Sequence, residues 1–177
     1  EKEINHPFGW TTPHTCYAMA HAHLAYYRAL QRDGYLRMIR TRDDLKSHLQ
    51  QFESEPDTCP LGFILTMEGA DPLLTPDTVE EFHEHGLRAL GLTHYGANRY
   101  GGGTRSEVGL SLGALPLLEK IEKLGMTVDV THLSDVSFWQ VLDHFSGRIH
   151  ASHQNSRRLA SWQRQFSDEQ YQAVIER

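Results

Sequence analysis

From residue 61 onward the chain alternates between two hydrophobic patterns. Short apolar runs at Gly62 to Glu68, Leu87 to His94, Met126 to His132 and Arg148 to His153 predict four strands. Between them, Pro76 to His85, Leu110 to Leu124 and Ser134 to Phe145 have helical spacing, with Gly86, Gly125 and Gly147 as stops. Upstream, Thr15 to Leu36 predicts a helix ended by Gly34, and Leu36 to Ile39 is a brief apolar piece. Thr41 with Asp43 and Asp44 suits the unpaired amides of a helix start, and that helix runs to about Phe52. Glu53 to Pro60 is a loop, and Ser167-Asp168-Glu169-Gln170 matches a capping box opening a last helix. Strand–helix alternation predicts an α/β fold with a parallel sheet and crossover helices. No linker interrupts residues 1–177, so a single domain is expected.

Composition narrows the function. The 17 basic and 23 acidic residues leave a net charge of −6, with no basic surplus of the kind that nucleic-acid binding needs. No apolar run approaches the ~20 residues of a membrane span. Glu1-Lys2-Glu3-Ile4-Asn5 does not read as a signal peptide, so a cytoplasmic chain is expected. Two cysteines make neither a disulfide framework nor a Cys-rich zinc site. The 12 histidines are the compositional surplus.

Four successive strand segments end in Glu68, His94, His132 and His153. In parallel α/β proteins the carboxyl ends of the strands share one side, where sites are built. A carboxylate with imidazoles is ligand chemistry for zinc or a similar divalent ion, and Glu with two His leaves positions open for catalysis. His21-Ala22-His23 has the spacing of a strand metal pair but falls in a helix, where i and i+2 diverge. His83 and His85 suit the last turn of a helix, and His150 is expected to pack. Asp129 is a candidate to orient a ligand from behind. Tyr100-Gly101-Gly102-Gly103-Thr104 lacks the ending of a phosphate loop and is expected to be a mobile loop over the site. Arg157, Arg158 and Arg164 are candidates for holding a substrate carboxylate.

Thr66-Met67-Glu68-Gly69-Ala70-Asp71, Leu92-Thr93-His94-Tyr95-Gly96, Asp129-Val130-Thr131-His132-Leu133-Ser134-Asp135 and Ala151-Ser152-His153-Gln154-Asn155 together resemble the membrane (renal-type) dipeptidase family of zinc peptidases, in its bacterial branch. The likeness runs from about Gly9 to Arg177. It implies a (β/α)8 TIM-barrel with two zinc ions bridged by one carboxylate. Glu68 matches the bridging Glu, and His132 and His153 match the two His ligands of one zinc. His94 matches the His that binds substrate and stabilises the tetrahedral intermediate, and Arg164 the Arg that holds the substrate carboxylate. The implied reaction is hydrolysis of a dipeptide, tolerant of a C-terminal D-residue, by a metal-activated bridging water.

Upstream of Glu68 no His-x-Asp pair supplies the other zinc, and a complete barrel takes ~250 residues. The expectation is a partial barrel of about strands two to six, inactive alone. Another amidohydrolase-type reaction, such as lactone hydrolysis or deamination, is the alternative chemistry. A non-catalytic homologue with a vestigial metal site is the alternative class. A homodimer is a candidate assembly.

Overall fold

A computed structural model describes residues 12–177. Glu1 to Asn5 and Gly9 lie outside the described residues. Thr12 and Thr15 form a capping box that opens α1 (Pro13–Arg32), with Pro13 at the first helical position, where its missing N–H has no helical acceptor to lose. β1 (Leu36–Met38) follows, and α2 (Arg42–Ser54) starts at the expected Thr41. The Asp44 carboxylate accepts from the backbone N–H of Thr41 and of Arg40, both at 2.9 Å, and so ties the cap to the strand before it.

The apolar run ending at Glu68 is two strands. β2 (Leu61–Phe63) pairs in parallel with β1. β3 (Leu65–Glu68) pairs in parallel with β4 (Leu87–Gly91), after an irregularity in register between Leu65 and Thr66. Ile64, 53% exposed, marks where the extended chain changes partners. The remaining elements are α3 (Thr78–Glu84), α4 (Ala114–Lys123), β5 (Thr127–Asp129), α5 (Asp135–His144), β6 (Ile149–His150) and α6 (Asp168–Glu176). The second sheet has the order β3-β4-β5-β6, all parallel, with α3, α4 and α5 as the crossovers. Leu90 and Val128 of the sheet are buried together with Phe82, Leu117, Ile121, Phe138 and Val141 of the helices, which makes one continuous core.

α4 begins four residues later than its apolar spacing predicts. Pro116 explains this: a proline is tolerated only in the first turn, so the helix cannot extend back to Leu110. Leu110 packs against the core from the preceding loop instead. α5 and α6 start where their hydroxyl caps dictate, with Ser134 Oγ accepting from Ser137 N at 3.0 Å and Ser167 exchanging bonds with Gln170.

Hydrogen-bonded register places Glu68, Gly91, Asp129 and His150 on one rung across the four strands. β4, β5 and β6 therefore stop earlier than the sequence pattern predicts. His94, His132 and His153 lie not on strands but three positions beyond that rung, in the loops that leave each strand end. Equal offsets from a level rung bring residues from separate units to the same height. Among the described residues no helix is long and apolar enough to cross a membrane.

Candidate metal centre

Glu68 ends β3, and its Oε1 lies 3.1 Å from His132 Nε2 and 3.1 Å from His153 Nε2. The two Nε2 atoms are themselves 3.1 Å apart, which makes a near-equilateral triangle of donor atoms. The outer ring nitrogen of each histidine is hydrogen-bonded to a hydroxyl. Thr104 Oγ1 lies 3.0 Å from His132 Nδ1 and 3.4 Å from the His132 carbonyl oxygen; a hydroxyl that donates to that carbonyl accepts from Nδ1. The Ser152 hydroxyl donates to Asp129, so it accepts from His153 Nδ1 at 2.8 Å. With both protons on Nδ1, both Nε2 lone pairs face each other and the Glu68 carboxylate.

Three electron-rich atoms aimed at one point repel unless a cation lies among them. A tetrahedral zinc ion with bonds of about 2.0 Å separates its ligand atoms by about 3.3 Å, close to the spacing here. The donor set fits the metal that the sequence motifs imply. Glu68, His132 and His153 would hold it, with Thr104 and Asp129–Ser152 fixing the two imidazoles from behind.

Electrostatics prepare the same state. Burial pushes the His132 proton affinity down to about 4, and Arg164 and His94 push the same way against the opposing pull of Glu68. At neutral pH the ring is already in the unprotonated form that a metal takes. The backbone of His132 is in the left-handed region at φ +68, a conformation that non-glycine residues adopt at a cost of roughly 1–2 kcal/mol. The Thr104 hydroxyl, bonded to both the ring and the carbonyl of His132, holds it there. Burial alone would raise Asp129. Hydrogen bonds from His150, Ser152 and Thr131 outweigh it and hold the carboxyl well below the usual carboxylate range. Asp129 therefore stays an anionic acceptor for Ser152, as its candidate role requires. His150, expected only to pack, sits 3.6 Å from Asp129 Oδ2 and supports it.

Replacing Ser152 with alanine cuts the relay without touching a donor atom. Zinc affinity at this site is expected to fall about 10–100-fold, with little change in melting temperature. Competition with a chromophoric chelator measures it; unchanged affinity would assign Ser152 no part in holding His153.

His94 stands on the open side of Glu68, its Nε2 3.9 Å from Glu68 Oε1 and its ring edge-on to His132. A cleft of about 440 Å³ reaches both Glu68 and His94 between β3 and α1, and His23, Met19 and Asp71 also line it. Of the three candidate arginines, only Arg164 bonds to a residue of the triangle. Arg157 is bidentate to Asp135 at 2.7 and 3.0 Å, and Arg158 pairs with Asp168. Arg164 is 9% exposed, donates to the His153 carbonyl at 2.8 Å and to the Gln154 side chain, and keeps N–H groups to spare.

The glycine-rich segment is not a lid. Residues Tyr100 to Thr104 are buried, and Gly96, Gly109 and Ser134 bond to their backbone from both sides. Its role is to carry Thr104 to His132. Thr104 and Ser152, bonded to His132 and His153, are the candidate site residues that local sequence did not single out. The only local signals were a threonine closing a glycine run and a serine next to His153.

Residues 18–177 match the family model described as membrane dipeptidase, peptidase family M19. An uncharacterized protein in the PQQ-III 3′ region of Acinetobacter calcoaceticus is 30% identical over 125 residues, covering 66% of this chain and 40% of that protein. The probable dipeptidase PvdM from Pseudomonas aeruginosa superposes at a TM-score of 0.82 with 20% identity, covering 96% of this chain and 44% of that one. A metallo peptidase from Rhodobacter sphaeroides, liganded with a phosphinate mimic of the dipeptide L-Ala-D-Ala, superposes at a TM-score of 0.71 with 25% identity, over 90% of this chain and 45% of that one. The chain thus spans under half the length of these relatives, and its parallel strands with their crossover helices form part of a TIM-type barrel. With the match over residues 18–177 and the four strand-end motifs in register, the chain belongs to the membrane dipeptidase family, peptidase family M19.

Proposed function

We propose that this chain supplies one half of a zinc-dependent dipeptidase site. The observation that carries the reading is the 3.1 Å triangle of Glu68 Oε1, His132 Nε2 and His153 Nε2. Glu68, His132 and His153 would hold one zinc ion, and Glu68 would be the carboxylate shared with a second. Bound zinc supplies a water-derived nucleophile at neutral pH and polarises the peptide carbonyl.

The remaining roles fall to side chains beside the triangle. His94, half exposed and 3.9 Å from Glu68, faces the cleft from which a peptide carbonyl approaches, and hydrogen-bonds its oxygen as charge develops there. Arg164 holds the free carboxylate of the dipeptide, with its guanidinium pre-oriented by His153 and Gln154. The phosphinate mimic of L-Ala-D-Ala bound to the Rhodobacter sphaeroides relative supports a site that takes a C-terminal D-residue.

A panel of L,L- and L,D-dipeptides, their C-terminal amides and simple lactones tests this in a complete, zinc-loaded barrel that carries these residues, since the chain by itself is expected to be inactive. Dipeptides are expected to be cleaved and amides left nearly intact. Arg164→Met is expected to reduce kcat/KM for dipeptides roughly 30-fold or more, as for truncation of a buried charge partner worth about 2 kcal/mol, and to change amide hydrolysis little. Equal loss for dipeptides and amides would remove the carboxylate role of Arg164. Turnover of lactones with every dipeptide intact would overturn the dipeptidase reading while leaving the metal centre in place.

A further inference from the structure

A second group of metal-type donors lies in the helical layer, formed by residues with no part in the strand-end site. His21 sits on α1, Glu81 on α3, and His85 is the residue that caps the end of α3. Glu81 and His85 are one helical turn apart, so both side chains share a face of α3. His21 Nε2 lies 3.1 Å from Glu81 Oε1, and His85 Nε2 lies 3.8 Å from the same oxygen. All three donor atoms fall within 4.8 Å of one another.

Three independent observations favour a cation here over a simple polar cluster. His21 Nε2 is sealed from solvent and makes no hydrogen bond, although Glu81 Oε1 is 3.1 Å away. A buried, unpaired ring nitrogen is costly unless something occupies its lone pair. Second, Glu81 has no Lys or Arg partner among the described residues: Lys120, nearby on α4, pairs with Asp77 and Glu80 instead. Third, Glu81 is oriented from behind, as ligating carboxylates are. The Tyr17 hydroxyl, one turn before His21 on α1, reaches both its oxygens at 2.9 and 3.0 Å. The His21 ring is meanwhile walled by Tyr17 at 4.4 Å, Phe82 at 5.2 Å and His85 at 5.6 Å between centroids.

We propose that His21, Glu81 and His85 form a second metal site, for a divalent ion of the zinc type, that clamps α1 to α3. Two imidazoles and a carboxylate select a borderline transition ion over calcium or magnesium, and water completes the coordination. The clamp has a position that matters. α1 is one wall of the cleft that reaches Glu68 and His94, and His23, two residues on from His21, faces that cleft. An ion that joins α1 to α3 fixes this wall from its outer side. The proposal stands whether or not the strand-end site hydrolyses dipeptides.

The test uses the His153→Ala protein, in which the strand-end triangle is broken. Zinc is expected to raise the melting temperature of this variant and to bind it in a chelator competition, because an ion that binds only the folded state stabilises it. Adding His21→Ala is expected to remove both effects. His85→Gln, at the partly exposed end of α3, gives the same reading should His21→Ala not fold. Tyr17→Phe keeps every donor atom and is expected to weaken this zinc about 10–100-fold. Zinc binding to His153→Ala that survives both His21→Ala and His85→Gln would overturn the proposal, as would the absence of any zinc effect on His153→Ala.

Discussion

Replacing Glu68 with glutamine is expected to lower zinc affinity at the strand-end site by more than about 100-fold, because loss of a mere supporting partner already costs 10–100-fold. Glu68 is the only anion of the triangle, and both Nε2 atoms converge on its Oε1 at 3.1 Å. Glutamine keeps the size and the β3 register but presents a neutral amide to two neutral imidazoles. The fold is expected to be indifferent, since the Glu68 side chain is 51% exposed and ends its strand. His132 would be a poorer choice. It is 4% exposed, and its removal would leave Thr104 without its ring partner inside the core, mixing a folding defect with the loss of a ligand. Metal content after gel filtration and the melting temperature in the presence of chelator separate the two effects. Full zinc retention by Glu68→Gln, with the fold intact, would remove Glu68 from the ligand set and with it the bridging role.

What local sequence could reveal is what local physics decides. The caps at Thr41 and Ser167 need only a hydroxyl and a side chain three residues on, and both form as expected. That Glu68, His94, His132 and His153 share one side of the sheet was legible because four strand–helix units repeat one pattern, although only Glu68 ends its strand and the three histidines lie in the loops beyond. The rest depends on partners far along the chain. Ile64 breaks an unbroken apolar run only because β2 and β3 pair with different strands. Thr104 reaches His132 across 28 residues, and Tyr17 reaches Glu81 across 64, distances over which composition carries no signal. His85, read as a charge at the end of a helix, faces Glu81 and His21 instead. The glycine run misled for a related reason. A flexible lid and a buried backbone crossing have the same composition, and only the approach of other backbone atoms tells them apart.

That crossing yields the largest expected effect on stability. A Cβ at Gly103 would meet the His94 carbonyl oxygen and come within 2.6 Å of the Gly96 carbonyl oxygen. Neither oxygen is free to retreat. The His94 oxygen accepts from Thr104 N at 3.0 Å, and the Gly96 oxygen accepts from Gly103 N at 2.8 Å. Relieving the overlap would therefore break the bonds that hold the segment in place. Gly103→Val is expected to cost about 3 kcal/mol, the upper part of the usual range for overpacking. For a chain of this size that is a fall of roughly 6–12 °C in melting temperature. The damage reaches the metal because Thr104 is the next residue and holds His132 Nδ1. Zinc affinity should fall together with stability. Gly125→Ala provides the contrast: its φ is also left-handed, at +65, but nothing lies within 4 Å of its added Cβ. It should lose only the backbone term of roughly 1–2 kcal/mol and bind zinc as the parent does. Should Gly103→Val melt no lower than Gly125→Ala and bind zinc normally, the glycine run would be a tolerant loop after all. His132 would then owe its position to its own strand end alone.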